Sequence, residues 1–261
     1  MSFARPIAVA FSMMLISSGY SQLPSGKRHH MDRYDMPPGA VSISRQLGSG
    51  HPVSNYYQPV SFVGPDGTQI ALATSDDFSP SQDGPVLAGI LIGPAYRLKV
   101  SGILYHEGVE VFPTVEIIER VCPPPGLQTI FPIPIVFTHE DLELGIAGGM
   151  VTRVVYLEDP QTALPLADQP GSQRHFDVTG VDDPLHVADQ LGKPVAIVRI
   201  GSRVAPTQPG LMPEFVLGGP PWVPMESPVV PARPKVVQPA AFESNVPQIA
   251  LPLPHGLPFR R

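Results

Sequence analysis

One cysteine, Cys122, is all that the 261 residues contain. A lone cysteine excludes an internal disulfide, and the sequence gathers no metal-ligand partners near it. Between Val121 and Pro123, at a strand end, it is expected to behave as a small buried hydrophobe. Basic charge is scarce as well. Seventeen Lys and Arg stand against 23 Asp and Glu, a net charge of −6 with a pI near 5.7. A nucleic-acid binder would carry a basic stripe, so that class is set aside. Past the N-terminus no apolar run approaches the roughly 20 residues that cross a bilayer, and no span is expected once a leader is removed.

Catalytic signatures are missing too. There is no Gly-x-Ser-x-Gly elbow, no P-loop and no Gly-x-Gly-x-x-Gly. Ser49 near His51 lies in a Gly- and Pro-broken stretch, where proximity does not make a triad. None of the eight histidines forms a His-x-x-x-His pair, and His106-Glu107 lacks the second histidine of a zincin. Asp76, Asp77 and Asp83 lack the ligand spacing of a calcium loop. No catalytic residue, cofactor or metal is expected, and the chain reads as a non-enzyme.

Proline is abundant instead. Its 35 residues exceed the roughly 13 that average usage of about 5% would give. Proline lacks the N–H that helices and central strands need, so the chain cannot be one compact domain throughout.

Four segments are expected. Residues 1–21 read as a signal peptide: Arg5, an apolar run from Ile7 to Ile16, then Gly19 and Ser21 before a cut at Gln22. The destination is export, to the periplasm, envelope or exterior. Residues 22–55 read as a polar, disordered linker, with Pro37-Pro38-Gly39 and Gly48-Ser49-Gly50. Residues 56–204 read as a β domain, and 205–261 as a proline-rich, extended and disordered tail. Fourteen of those last 57 residues are proline. Phe215, Trp222, Phe242 and Ile249 are the tail's candidate contacts with envelope proteins or polysaccharide.

Within the β domain, Val60–Val63, Gly64-Pro65-Asp66-Gly67 and Thr68–Ala73 predict a hairpin. The uninterrupted apolar run of Val86–Ile92 predicts a buried strand. In Tyr96–Ser101 the alternation places Tyr96, Leu98 and Val100 inward and Arg97, Lys99 and Ser101 toward water. Further strands are expected over Val109–Val121, Met150–Leu157 and Pro194–Ile200. Thr138 caps a short helix, with Asp141 returning the bond, and Asp183-Pro184 opens a second that Gly192 ends. In Phe131-Pro132-Ile133-Pro134-Ile135 the two prolines remove donors from one side of a strand only, which places it at a sheet edge that resists pairing with other chains. About seven short strands with two small helices predict an antiparallel β-sandwich, immunoglobulin-like in architecture.

The blocks Tyr96–Val100, Val111–Glu116, Pro123–Gly126, Phe131–Ile135, Glu140–Leu144 and Val151–Gln161, continuing at Gly192–Arg203, resemble a family of uncharacterised secreted proteins of planctomycete-type bacteria. The resemblance covers roughly half the chain and omits both tails. It implies no activity and transfers no site residues, and Cys122 is idiosyncratic within it.

Two functions are expected. The first is an exported structural or interaction protein of the cell envelope, without catalysis. The second is a carbohydrate-binding or carbohydrate-hydrolysing domain, resting on Tyr96, Tyr105 and Tyr156 and on Glu107, Glu110, Glu116 and Glu119, since a glycosidase needs two facing carboxylates.

Overall fold

In the computed structural model, residues 32–49, 55–159, 175, 177–178 and 182–226 are described. The expected signal peptide and residues 228–261, with Phe242 and Ile249, lie outside them. The fold is mainly β. Among the described residues ten strands form two sheets, and four short α-helices accompany them.

The smaller sheet has four strands: β1 (Tyr57–Val63), β4 (Val86–Leu91), β7 (Ile133–Val136) and β10 (Trp222–Pro224), in the order β10-β4-β1-β7. The larger has six: β2 (Gln69–Leu72), β3 (Gln82–Asp83), β5 (Ala95–Ser101), β6 (Thr114–Ile117), β8 (Val151–Glu158) and β9 (Gly192–Ile200), in the order β3-β2-β5-β6-β9-β8. The pairing is antiparallel throughout, except that β1 and β7 run parallel.

One apolar cluster draws on both sheets. Val60, Phe62, Ile90, Ile133 and Ile135 come from the smaller, and Ile70, Leu72, Leu98, Val115, Val198 and Ile200 from the larger. Alternation along each strand supplies this face. In β7 the pattern is explicit, with Ile133 and Ile135 buried and Pro134 exposed between them.

The expected hairpin is not formed. β1 pairs with β4 and β7, while β2 pairs with β3 and β5, so the chain changes sheets between Val63 and Gln69. The turn itself is present. Thr68 N–H donates to the Pro65 carbonyl (3.1 Å), and Gly67 takes φ +84°, which suits glycine. A turn signal is local chemistry and does not choose the sheet that receives the next strand.

The double-proline segment ends the smaller sheet. Phe137 N–H donates to Val63 (2.8 Å), so by alternation Ile135 and Ile133 face β1 and Pro134 and Pro132 turn their nitrogens outward. The opposite edge strand, β10, also contains a proline, Pro224.

Two helices follow their capping chemistry. Thr138 Oγ1 accepts from Asp141 N–H (3.2 Å) at the start of α2, and Asp183 Oδ1 accepts from Leu185 N–H (2.8 Å) at the start of α3. With the first helix α1 as Ala40–Ser49, α2 is His139–Ile146, α3 is Pro184–Leu191 and α4 is Met212–Phe215. Asp141 does not return a capping bond. Its carboxylate, buried at 2% exposure, takes both Nε (2.5 Å) and Nη2 (2.7 Å) of Arg153 on β8.

Three further expectations are corrected. Residues 40–49, read as part of a disordered linker, are the helix α1, and Val41 in it is fully buried. Ten residues are too few for autonomous helicity, so docking holds it. The segment after Val204 stays with the folded unit, and the division of the chain falls between Ser227 and Pro228. Cys122, expected to be buried, is exposed.

Candidate functional site

The outer face of the six-stranded sheet is where charge and cover meet. β6 carries Thr114 and Glu116 there, β5 carries Arg97, and β9 carries Arg199 and Ile197. Arg97, Thr114, Arg199 and Thr152 stand in direct register across four strands. Two patches of chain lie over this face. One is the stretch from Asp32 through α1, with α3 beside it: Val41, Leu185, Ile118 and Ile197 form a buried cluster. The other is the segment around α4, whose Phe215 and Val216 pack with Ala73 and Phe112.

Glu116 and Arg199 organise the first patch. Arg199 Nη1 donates to Glu116 Oε2 (3.0 Å), with side-chain exposures of 6% and 0%. The other Glu116 oxygen accepts from the Ser42 backbone N–H of α1 (2.8 Å). The remaining donors of Arg199 reach the carbonyls of Tyr34 (3.3–3.4 Å) and Met36 (3.3 Å). Ser42 Oγ donates to the Gly93 carbonyl, and Gln46 Nε2 donates to Ile92 (2.8 Å). Arg45 pairs with Asp32 at 3.5 Å, both nearly buried. Gly39 precedes α1 at φ +89°, a conformation that a side chain would strain.

Arg97 organises the second patch, against the expectation that it faces water. It is 4% exposed. Its guanidinium carbon lies 4.8 Å from the centroid of the Phe215 ring, and Phe215 meets Phe112 edge-on at 5.0 Å. Nη1 donates to the Phe112 carbonyl (3.3 Å). Nε is buried and has no hydrogen-bond acceptor. Burial first, then the charge of Arg203, push this guanidinium down to a pKa of about 10.

Tyr96 points the other way, into the core. It is fully buried. Its hydroxyl donates to Pro221 (2.8 Å) and accepts from Leu91 N–H (2.9 Å), and burial raises its pKa to about 12. Trp222 Nε1 donates to the Ala73 carbonyl (3.0 Å). Phe215 and Trp222, expected as contacts for an outside partner, are therefore anchors for the chain's own sheet faces. Their neighbourhood of prolines concealed this, because proline density says nothing of where side chains land.

The carboxylates expected on one strand region are dispersed. Glu107 is exposed, and Glu110 reaches Lys99 at 3.6 Å. Glu119 reaches Lys193 at 3.5 Å, and Glu116 is sealed beneath α1. The tyrosines form no platform. Tyr96 is buried, Tyr105 is 77% exposed at φ +65°, and Tyr156 lies half-buried on β8. Asp83 is engaged by Gln69 across the β2–β3 pair (2.9 Å).

Sequence reading missed one grouping. His139 Nε2 lies 3.2 Å from Glu143 Oε1, at i,i+4 on α2, and His106 Nε2 lies 4.0 Å from the same oxygen. The His-x-x-x-Glu spacing was its available signal. Among the described residues no group of three His, Cys, Asp or Glu is placed to hold a metal ion. A shallow apolar depression of about 320 Å³ lies between Pro38 and Ile43, Pro94, and Leu217 and Pro220. No helix among the described residues is long and apolar enough to cross a membrane. No family model, curated protein or solved structure matches the chain.

Proposed function

We propose that this chain is an exported structural or interaction module of the cell envelope and performs no catalysis. One observation carries the reading: three buried side chains that could do chemistry, Glu116, Asp141 and Tyr96, are spent on the fold. Glu116 has both oxygens occupied, by Arg199 and by Ser42. Asp141 has both occupied by Arg153. The Tyr96 hydroxyl is closed between Leu91 and Pro221. A general acid or base must reach a substrate proton, and none of these three can.

Two facing sheets support an immunoglobulin-like architecture for the module, and the parallel β1–β7 pair sets it apart from that pattern. The leader-like residues 1–21 support export, as does the resemblance to secreted bacterial proteins. The outward nitrogens of Pro132 and Pro134 suit a protein that must stay unpaired at its sheet edge in a crowded compartment.

Expression of the tagged full chain in a bacterial host, followed by fractionation and mass spectrometry of the N-terminus, tests the reading. A chain beginning at Gln22 in the exported fraction is expected. An intact Met1 in the cytosol overturns export. Pull-downs from envelope fractions with the full chain and with a chain ending at Ser227 then locate the contact surface. Partners lost on truncation assign it to residues 228–261, and partners retained assign it to the folded unit.

A further inference from the structure

Arg97 and Arg199 make a comparison inside one row of the sheet. They flank Thr114 in direct register, which places their strands roughly 10 Å apart at the usual inter-strand spacing. Both are buried, at 4% and 6% exposure. Arg199 has a carboxylate and two carbonyls. Arg97 has the Phe112 carbonyl and the Phe215 ring. Among the described residues no carboxylate pairs with it, and the charge that acts on it is Arg203, of the same sign. A ring face compensates part of a buried cation's cost, and a buried N–H without an acceptor adds to that cost.

The geometry of the unpaired donor is specific. With Nη1 engaged, the side of the guanidinium left over is the one bearing Nε–H and Nη2–H. Those two donors run parallel and match two oxygens of one carboxylate, phosphate or sulfate group. We propose that Arg97 is a binding site for a single small oxyanion, held side-on by Nε and Nη2, with the exposed Arg203 as a second positive charge for it. The segment over it is short, since α4 has four residues and no side-chain N-cap, and Arg203 is exposed. The shared chemistry has two sources, an inorganic oxyanion or the carboxylate of an acidic ligand.

The protein carries its own reporter. Trp222, its single tryptophan, donates to the Ala73 carbonyl (3.0 Å), and Ala73 N–H donates to the Arg97 carbonyl (3.0 Å). The full chain is titrated with sodium phosphate, sodium sulfate and sodium succinate, each against sodium chloride at matched ionic strength. Tryptophan emission and the thermal midpoint are read, in the wild type and in Arg97→Gln and Arg203→Gln. The expected result is a saturable emission change and a rise in midpoint with at least one oxyanion and not with chloride. Arg97→Gln loses both, and Arg203→Gln weakens the apparent affinity about tenfold, the effect of one charge-assisted contact. Saturation by succinate alone identifies an acidic ligand, and saturation by phosphate or sulfate identifies an inorganic one. Oxyanion curves that superimpose on chloride overturn the site. So does a saturable response unchanged in Arg97→Gln. If Arg97→Gln does not fold, the exposed Arg203 decides: wild-type affinity in Arg203→Gln overturns the proposal.

Discussion

Replacing Glu116 with alanine removes the carboxylate that joins Arg199 to α1. Arg199 keeps its carbonyl contacts to Tyr34 and Met36 but loses the charge that balances it. Ser42 N–H loses its acceptor as well. Breaking a buried ion pair from one side costs about 3–5 kcal/mol, because a cation is left in a low-dielectric site. For a folded unit of this size each kcal/mol lowers the melting temperature by about 2–4 °C, so Glu116→Ala is expected to melt roughly 6–20 °C below the wild type. Circular dichroism melts of the two proteins read this directly. The double replacement Glu116→Met with Arg199→Met separates charge from packing. It removes both ions and restores apolar volume, which is neutral or stabilising in other buried pairs, so it should recover most of the loss. A melting temperature for Glu116→Ala within about 2 °C of the wild type would refute the view that this pair docks α1. A double variant as unstable as the single would refute the electrostatic origin of the cost.

Phe215→Ala removes the ring over Arg97 and opens the cluster with Phe112, and a loss of about 3–5 kcal/mol is expected in urea unfolding, as for other buried aromatics. A loss below 1 kcal/mol would return Phe215 to the role of a surface anchor. Pro134→Thr restores an outward N–H to the exposed edge of β7, and light scattering should show concentration-dependent association that the wild type lacks. Monodisperse behaviour at every concentration counts against the edge argument. Tyr96 titrates near 12 in the fold against an ordinary value of 10, so the folded state keeps its proton where the unfolded state releases it. The stability that this supplies is complete below pH 10 and is lost as pH rises toward 12, by the sign of proton linkage. Tyr96→Phe should flatten that alkaline decline in urea midpoints, and an unchanged slope would place its origin elsewhere.

Local chemistry was legible in the sequence. Thr138 and Asp183-Pro184 announced α2 and α3 because a cap satisfies N–H groups within a few residues of itself. The apolar run of β4 and the outward prolines of β7 were legible for the same reason, since neither a continuous apolar run nor strand alternation needs knowledge of the partner strand. α1 was not. Its exposed residues include Ile43 and Leu47, and its buried face is Val41, Ser42 and a largely covered Arg45, so hydropathy pointed away from the face that docks. The two sheets were not legible either. The Gly64–Gly67 turn fits a hairpin and a change of sheet equally well, and long-range pairing chose the second.

The sequence by itself determined the mainly β character and the two capped helices, because composition, period and capping act over a few residues. Only the tertiary structure decided what became of Arg97, Glu116, Phe215 and Trp222. Glu116 and Arg199 stand 83 residues apart, and Trp222 and Ala73 stand 149 apart. A charge on an alternating strand faces water unless some other part of the chain comes to lie over it. Here the stretch from Asp32 through α1 and the segment around α4 come to lie over the larger sheet. Burial is a property of the whole packed chain, and that is why the row Arg97-Thr114-Arg199 could be found only in three dimensions.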